Sequence, residues 1–171
     1  KYQITARDVA TGLSIVAYSE GNAGIYTKKF LETILYPYLK QFKGLNLKEI
    51  IIQTDNGTEF TNKKMKTKGK EPKISSFTLY VEDKFKKHRT NIPGHCTADS
   101  DVETFHWSIE RDCLAWDDIV DDESLIKYTT IYMEEYINTI IKTRGYSPLE
   151  KIKETYEIDN IIYPMPQIIN I

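Results

Sequence analysis

Two carboxylates stand out by where the sequence puts them. Asp55 closes the run Glu49-Ile50-Ile51-Ile52-Gln53-Thr54 and is followed by Asn56-Gly57. A run that short and that rich in β-branched residues fits a buried strand. The C-terminal edge of such a strand is where α/β folds commonly hold ligands and metals. Asp-Asn-Gly is also a sequence that makes a turn and nothing more, because all three residues favour one. The second carboxylate is Glu103. On a helical projection, Val102, Phe105, Ile109, Cys113 and Trp116 gather on one side as a core-facing stripe. Glu103, Trp107 and Glu110 fall on the neighbouring side. Glu103 therefore borders the buried face, placed to enter a cleft or to remain a solvated helix carboxylate.

Other reactive residues form weaker patterns. His88, His95 and His106 have no repeated ligand spacing, and the pair His95-Cys96 lacks the second pair that a zinc site needs. Cys96 and Cys113 are the only cysteines and read as reduced thiols. The tyrosines fall mostly at helical spacing and read as packing, without the Arg/His constellation of a tyrosine recombinase. A formal net charge of −2 argues against nucleic-acid binding by bulk charge. Its distribution says more: Lys63, Lys64, Lys66, Lys68, Lys70, Lys73, Lys84, Lys86, Lys87 and Arg89 precede an acidic stretch that begins at Asp99. A basic segment abutting an acidic one suits a phosphate-tracking surface beside a metal site, or a solvated loop followed by a solvated helix.

The elements that must position these residues can be read in order. Residues 2–9 and 13–18 carry β-formers around Ala10-Thr11-Gly12, a hairpin. Over residues 25–42, Leu31, Ile34, Leu35, Tyr38 and Phe42 keep helical spacing, with Pro37 expected to kink or interrupt the helix. Residues 62–73, lysine-rich with Gly69 and Pro72, read as a mobile loop. A short helix is expected over 75–85, an extended segment over 89–92, and helices over 98–116 and 124–142. In the last of these, Leu125, Tyr128, Tyr132 and Tyr136 lie along one side. Ser147-Pro148-Leu149-Glu150 has capping-box order with Pro at the first helical position, so a final helix starts there. A length of 171 residues suits one domain. No apolar run approaches the roughly 20 residues that span a bilayer, and no leader pattern opens the chain. Strands mixed with crossover-length helices imply an α/β layer structure with helices on a mixed sheet.

Four stretches, in order, resemble one family. Ile50-Ile51-Ile52-Gln53-Thr54-Asp55-Asn56-Gly57-Thr58-Glu59-Phe60 resembles the T-D-N-G-x-x-F segment carrying the second catalytic aspartate of DDE-type transposases and retroviral-like integrases. Asp101-Val102-Glu103-Thr104-Phe105-His106 is similar to the segment carrying their catalytic glutamate. Asp8-Val9-Ala10-Thr11-Gly12 resembles a strand-end turn of that domain, and Tyr146-Ser147-Pro148-Leu149-Glu150 its closing T-P-L-E motif. The interval from Asp55 to Glu103 is about a dozen residues longer than the family's usual spacing, an excess that the lysine-rich segment can supply.

The resemblance implies an α/β, RNase H-like mixed sheet flanked by helices, and metal-dependent DNA strand cleavage and strand transfer. Asp55 and Glu103 become two of three carboxylates holding two Mg²⁺ (or Mn²⁺) ions. Lys63, Lys64, Lys66, Lys68, Lys86, Lys87 and Arg89 become contacts to DNA phosphates. The family's first aspartate lies on a central strand ahead of Lys1, which makes residues 1–171 an N-terminally incomplete catalytic core with an insertion over about 62–73. Asp8 matches the turn and is expected to be structural. Without that strand, the 2–9 and 49–54 strands are expected to show unpaired edges. Partners implied are the DNA of element ends and target, and a second or further copies of the chain, in a bacterial-type, nucleoid-associated cytoplasmic setting without membrane. A catalytically inactive RNase H-like module that binds DNA or a protein partner is the alternative.

Overall fold

A computed structural model describes residues 1–61, 74–91, 100–115 and 117–171. Strand β1 (Tyr2–Arg7) pairs antiparallel with β2 (Ser14–Ser19), Tyr2 opposite Ser19 and Arg7 opposite Ser14. Their connection is tied by Asp8, whose carboxylate accepts from the Ala10 amide (3.0 Å) and the Thr11 hydroxyl (2.6 Å). Gly12 completes it at φ +79°, a backbone region that costs glycine little. β2 is buried along its whole length. Its other edge is covered by a two-residue strand, Ile168–Ile169, too short to carry a sequence pattern of its own.

Helix α1 (Gly24–Phe30) continues through a π-helical turn (Leu31–Leu35) into α2 (Tyr36–Lys40). Leu31, Ile34, Leu35, Tyr38 and Phe42 are all buried, as their spacing requires. Ahead of Pro37 the regular α-helix gives way to the π-helical turn, and the chain stays helical through the proline. The Tyr36 amide reaches back five residues to the Leu31 carbonyl, and this widened turn leaves Pro37 in the first turn of α2. A missing N–H and a fixed φ are tolerated there. Gly24 lies against the backbone of Glu59: a Cβ at Gly24 would come within 2.4 Å of the Glu59 carbonyl oxygen. The start of α1 and the turn after Asp55 are thus pressed together.

Strand β3 (Ile51–Thr54) pairs in parallel with β4 (Lys87–Thr90), Ile51 opposite Lys87 and Thr54 opposite Thr90, through α3 (Ser76–Lys84). The expected extended segment therefore starts two residues earlier than read, and Ile92 lies outside the described residues. β3 is less buried than its apolar run suggested. Ile52 packs against the core while Ile51 is 43% exposed, because this small sheet has one face open to solvent. Helix α4 (Ser100–Ile109) runs into a second π-helical turn (Glu110–Leu114), and Phe105, Ile109 and Cys113 form the buried stripe. Val102 is half-buried and Trp116 lies outside the described residues. Helix α5 (Asp122–Asn138) buries Leu125, Thr129, Met133 and Ile137, every fourth residue, with its tyrosines half-buried beside them. Helix α6 (Pro148–Tyr156) starts at Ser147 with both arms of its capping box formed. Strand β5 (Ile168–Ile169) then pairs in parallel with β2, Tyr18 opposite Ile168.

The chain is mixed α/β with a small mixed sheet. The core joins β2 to α5 through Tyr18 and Thr129 (2.9 Å), and α4 to α5 through the rings of Phe105 and Tyr136 (5.0 Å). The end of the α2 helix meets α6 through Phe42 and Tyr156 (4.9 Å). The described strands do not lie in one sheet. Among the described residues they form two, in the order β1-β2-β5 and β3-β4, so β1 and β3 each keep one unpaired edge. No described strand supplies the hydrogen bonds that would join them. Among the described residues no helix is long and apolar enough to cross a membrane.

Candidate active site

Asp55 follows the last residue of β3 and is exposed. Its Oδ1 accepts from the Gly57 amide at 2.8 Å, a turn that fixes the carboxylate's direction. The turn is fastened to the neighbouring strand end: Asn56 donates to the Asn91 carbonyl (2.8 Å), and the Asn91 amide donates to the Thr54 carbonyl (3.0 Å). A buried imidazole backs the same strand end. His88 on β4 hydrogen-bonds through Nε2 to the Thr54 hydroxyl (2.9 Å) and through Nδ1 to the Thr78 hydroxyl on α3 (2.8 Å). Because α3 is the crossover between two parallel strands, β3, β4 and α3 are locked where Asp55 emerges.

Glu103 lies in the first turn of α4 and is exposed, making no hydrogen bond or ion pair among the described residues. One turn on, Trp107 is also exposed, with the Arg111 guanidinium 4.3 Å from its ring centre. His106 is half-buried, and its Nε2 is buried without a hydrogen-bond partner among the described residues. Burial holds this imidazole below its ordinary pKa, against the opposing pull of Glu110 and Glu103.

The acids next to these two behave differently. Asp8 spends both carboxylate oxygens inside its own turn. Asp101, two residues before Glu103, is engaged by Arg7 and Arg144. Lys86, Lys87 and Arg89 are exposed at and just before β4. Arg89 is not free, since its guanidinium donates to the Gln53 side chain (Nε, 3.0 Å). Lys63, Lys64, Lys66 and Lys68 lie outside the described residues, as do His95 and Cys96. Cys113 is buried, and burial pushes its thiol pKa up.

Two exposed carboxylates offer the oxygen donors that Mg²⁺ prefers. Among the described residues, no group of three or more His, Cys, Asp or Glu side chains stands close enough to hold a metal ion. The donor chemistry fits, and the described residues do not complete the set. The sequence singles out neither Arg7 nor Arg144, and it marks Tyr136 as helix packing and His88 as a histidine without ligand spacing, not as the partners of Arg7, Thr54 and Thr78. Arg7 carried a usable signal: a lone cation in a β-forming run must either reach solvent or find a carboxylate. His88 carried none, because its hydroxyl partners come from β3 and α3. No family model matches the chain, and no curated protein is matched by it.

Proposed function

We propose that this chain is the catalytic-core portion of a DDE-type transposase or integrase with an RNase H-like arrangement, cutting and joining DNA strands with divalent metal. One observation carries the reading. Of the five acids in the three resembling segments Asp8–Gly12, Ile50–Phe60 and Asp101–His106, Asp8 and Asp101 are consumed by structural bonds and Glu59 is half-buried, whereas Asp55 and Glu103, the two in the catalytic positions, are exposed and available. Asp55 keeps one oxygen clear of hydrogen bonds while Gly57 orients the other. Glu103 keeps both.

When bound, a pair of divalent ions would activate the attacking oxygen and stabilise the leaving one in phosphodiester transfer. The chain's own part is to fix oxygen donors. The β3 end, held by His88 and Asn91, sets Asp55, and the first turn of α4 sets Glu103. The third carboxylate belongs, on this reading, to a further strand pairing with the open edges of β1 and β3. Exposed Lys86 and Lys87 would meet phosphates as point charges. The test is nicking of supercoiled plasmid DNA by the full-length protein in Mg²⁺. Asp55→Asn and Glu103→Gln should each abolish nicking while leaving DNA retention intact. Retention without nicking by the unaltered protein would leave the inactive DNA-binding module as the better description.

A further inference from the structure

Charged side chains are rarely buried without a partner, and the chain's one strongly buried guanidinium among the described ion pairs belongs to Arg7, whose side chain is 6% exposed. Arg7 Nε donates to Asp101 Oδ2 at 2.5 Å and Nη2 to Oδ1 at 3.3 Å, a two-pronged grip. Arg144 Nη2 donates to the same Oδ1 at 3.1 Å. Both arginines are themselves held. Arg7 Nη1 lies 2.8 Å from the Gly12 carbonyl, 2.7 Å from Ser14 Oγ and 2.6 Å from Tyr136 Oη, and the guanidinium carbon sits 5.5 Å from the Phe105 ring centre. Arg144 Nη1 donates to the carbonyls of Val9 (2.9 Å) and Ala10 (3.0 Å). One carboxylate in the first turn of α4 is therefore fastened to β1, to the hairpin turn, to α5 and to the turn at residues 141–146.

We propose that Asp101 is a positioning residue for Glu103: gripped by Arg7 and Arg144, it fixes the first turn of α4 and so the place of the Glu103 carboxylate. The proposal rests on the catalytic reading above. The first turn of a helix lacks intrahelical partners for its amides and frays most easily, so a residue meant to hold a metal there needs an external anchor. Asp101 and Glu103 share that turn, and the anchor ends in buried groups that cannot drift. An amide at position 101 keeps the shape but turns one oxygen into an N–H₂, which cannot accept from a guanidinium. The helix start then loosens without removing any group from the core.

The readouts are Mn²⁺ broadening of the Val102 to Thr104 amide signals in isotope-labelled full-length protein, which needs no turnover and whose Mn²⁺ midpoint should rise in Asp101→Asn, and the Mg²⁺ dependence of plasmid nicking. Asp101→Asn should raise the Mg²⁺ concentration for half-maximal nicking by about 10-fold or more, the range for lost supporting contacts around metal ligands. The DNA concentration for half-saturation should stay unchanged, and excess Mg²⁺ should restore most of the rate. Arg144→Gln, which leaves the Arg7 grip in place, should shift the midpoint in the same direction by less, and it serves if Asp101→Asn does not fold. A rate lowered equally at every Mg²⁺ concentration, with no shift of midpoint in either variant, would make the cluster structural only and overturn the proposal. Glu103→Gln separates the two levels. If it nicks as well as the unaltered protein, the catalytic reading itself fails; if it is inactive while Asp101→Asn is unchanged, only the positioning role fails.

Discussion

Asp101 and His88 illustrate how single side chains set this molecule's properties. Burial acts to raise the Asp101 pKa, but Arg7 first and Arg144 after it hold the carboxyl below its ordinary value. A carboxylate with a depressed folded pKa adds stability that is fully present above its unfolded value, about 3.9, and is lost as pH falls through the lowered folded one. The stability gap between the unaltered protein and Asp101→Asn should therefore be constant from neutral pH down to about pH 4 and close below it. Urea unfolding across an acid series measures this, and a gap that widens on acidification would contradict the assignment. His88 joins two hydroxyls inside the domain; His88→Ala removes both bonds, leaving Thr54 its bond to the Asp55 carbonyl and Thr78 its bond to Ser75, and should cost about 2 kcal/mol, roughly 1 for each bond lost, read from the urea midpoint. Such roles were only partly visible in the sequence. Asp8 was legible as a turn residue because its partners are two and three residues away. Asp101 was not, because its partners stand 94 residues before and 43 after it.

Elements were most legible where the signal is local. The Ser147-x-x-Glu150 box, with Pro148 between, marks the start of α6 to the residue, and both of its hydrogen bonds are present. Ser147→Ala should lower stability by about 1 kcal/mol. The α5 start was placed two residues late because its cap is Asp121 with Ser124, a pairing outside the usual S-x-x-E form. Its end was placed late because Thr139 turns extended, a change that the tyrosine spacing does not announce. Pro37 is the instructive case. A proline in a regular helix interior costs about 3 kcal/mol, so Pro37→Ala would stabilise the protein by a comparable amount if the α2 helix were strained there. With the π-helical turn already absorbing the proline, a change below about 1 kcal/mol is expected in thermal or urea unfolding. A gain near 3 kcal/mol would show that the turn is under strain.

At the scale of the whole molecule, helix faces and the hairpin were readable because their periodicities are short, whereas sheet order depends on which distant strands meet. β5, two residues long, carries almost no pattern of its own. Among the described residues, the division into β1-β2-β5 and β3-β4 leaves an open edge on every strand but β2, those of β1 and β3 included, and exposed strand edges invite pairing. The proposed third carboxylate would sit on a strand that closes those of β1 and β3. On that account residues 1–171 expressed alone should be poorly soluble or partly unfolded, read from the cooperativity of urea unfolding. A stable, cooperatively folding 1–171 monomer would reopen the sheet order.

The proposed chemistry requires Asp55, at the end of β3, and Glu103, at the start of α4, to serve one metal centre. Mn²⁺ titrated into isotope-labelled full-length protein tests that without knowledge of the DNA substrate, because the ion broadens nearby amide signals. The amides of Asn56 and Gly57 and those of Val102 to Thr104 should broaden together at the same low Mn²⁺ concentration, and Glu103→Gln should weaken both effects at once. Broadening confined to one of the two segments, or an Asp55 response indifferent to Glu103→Gln, would contradict a shared metal site.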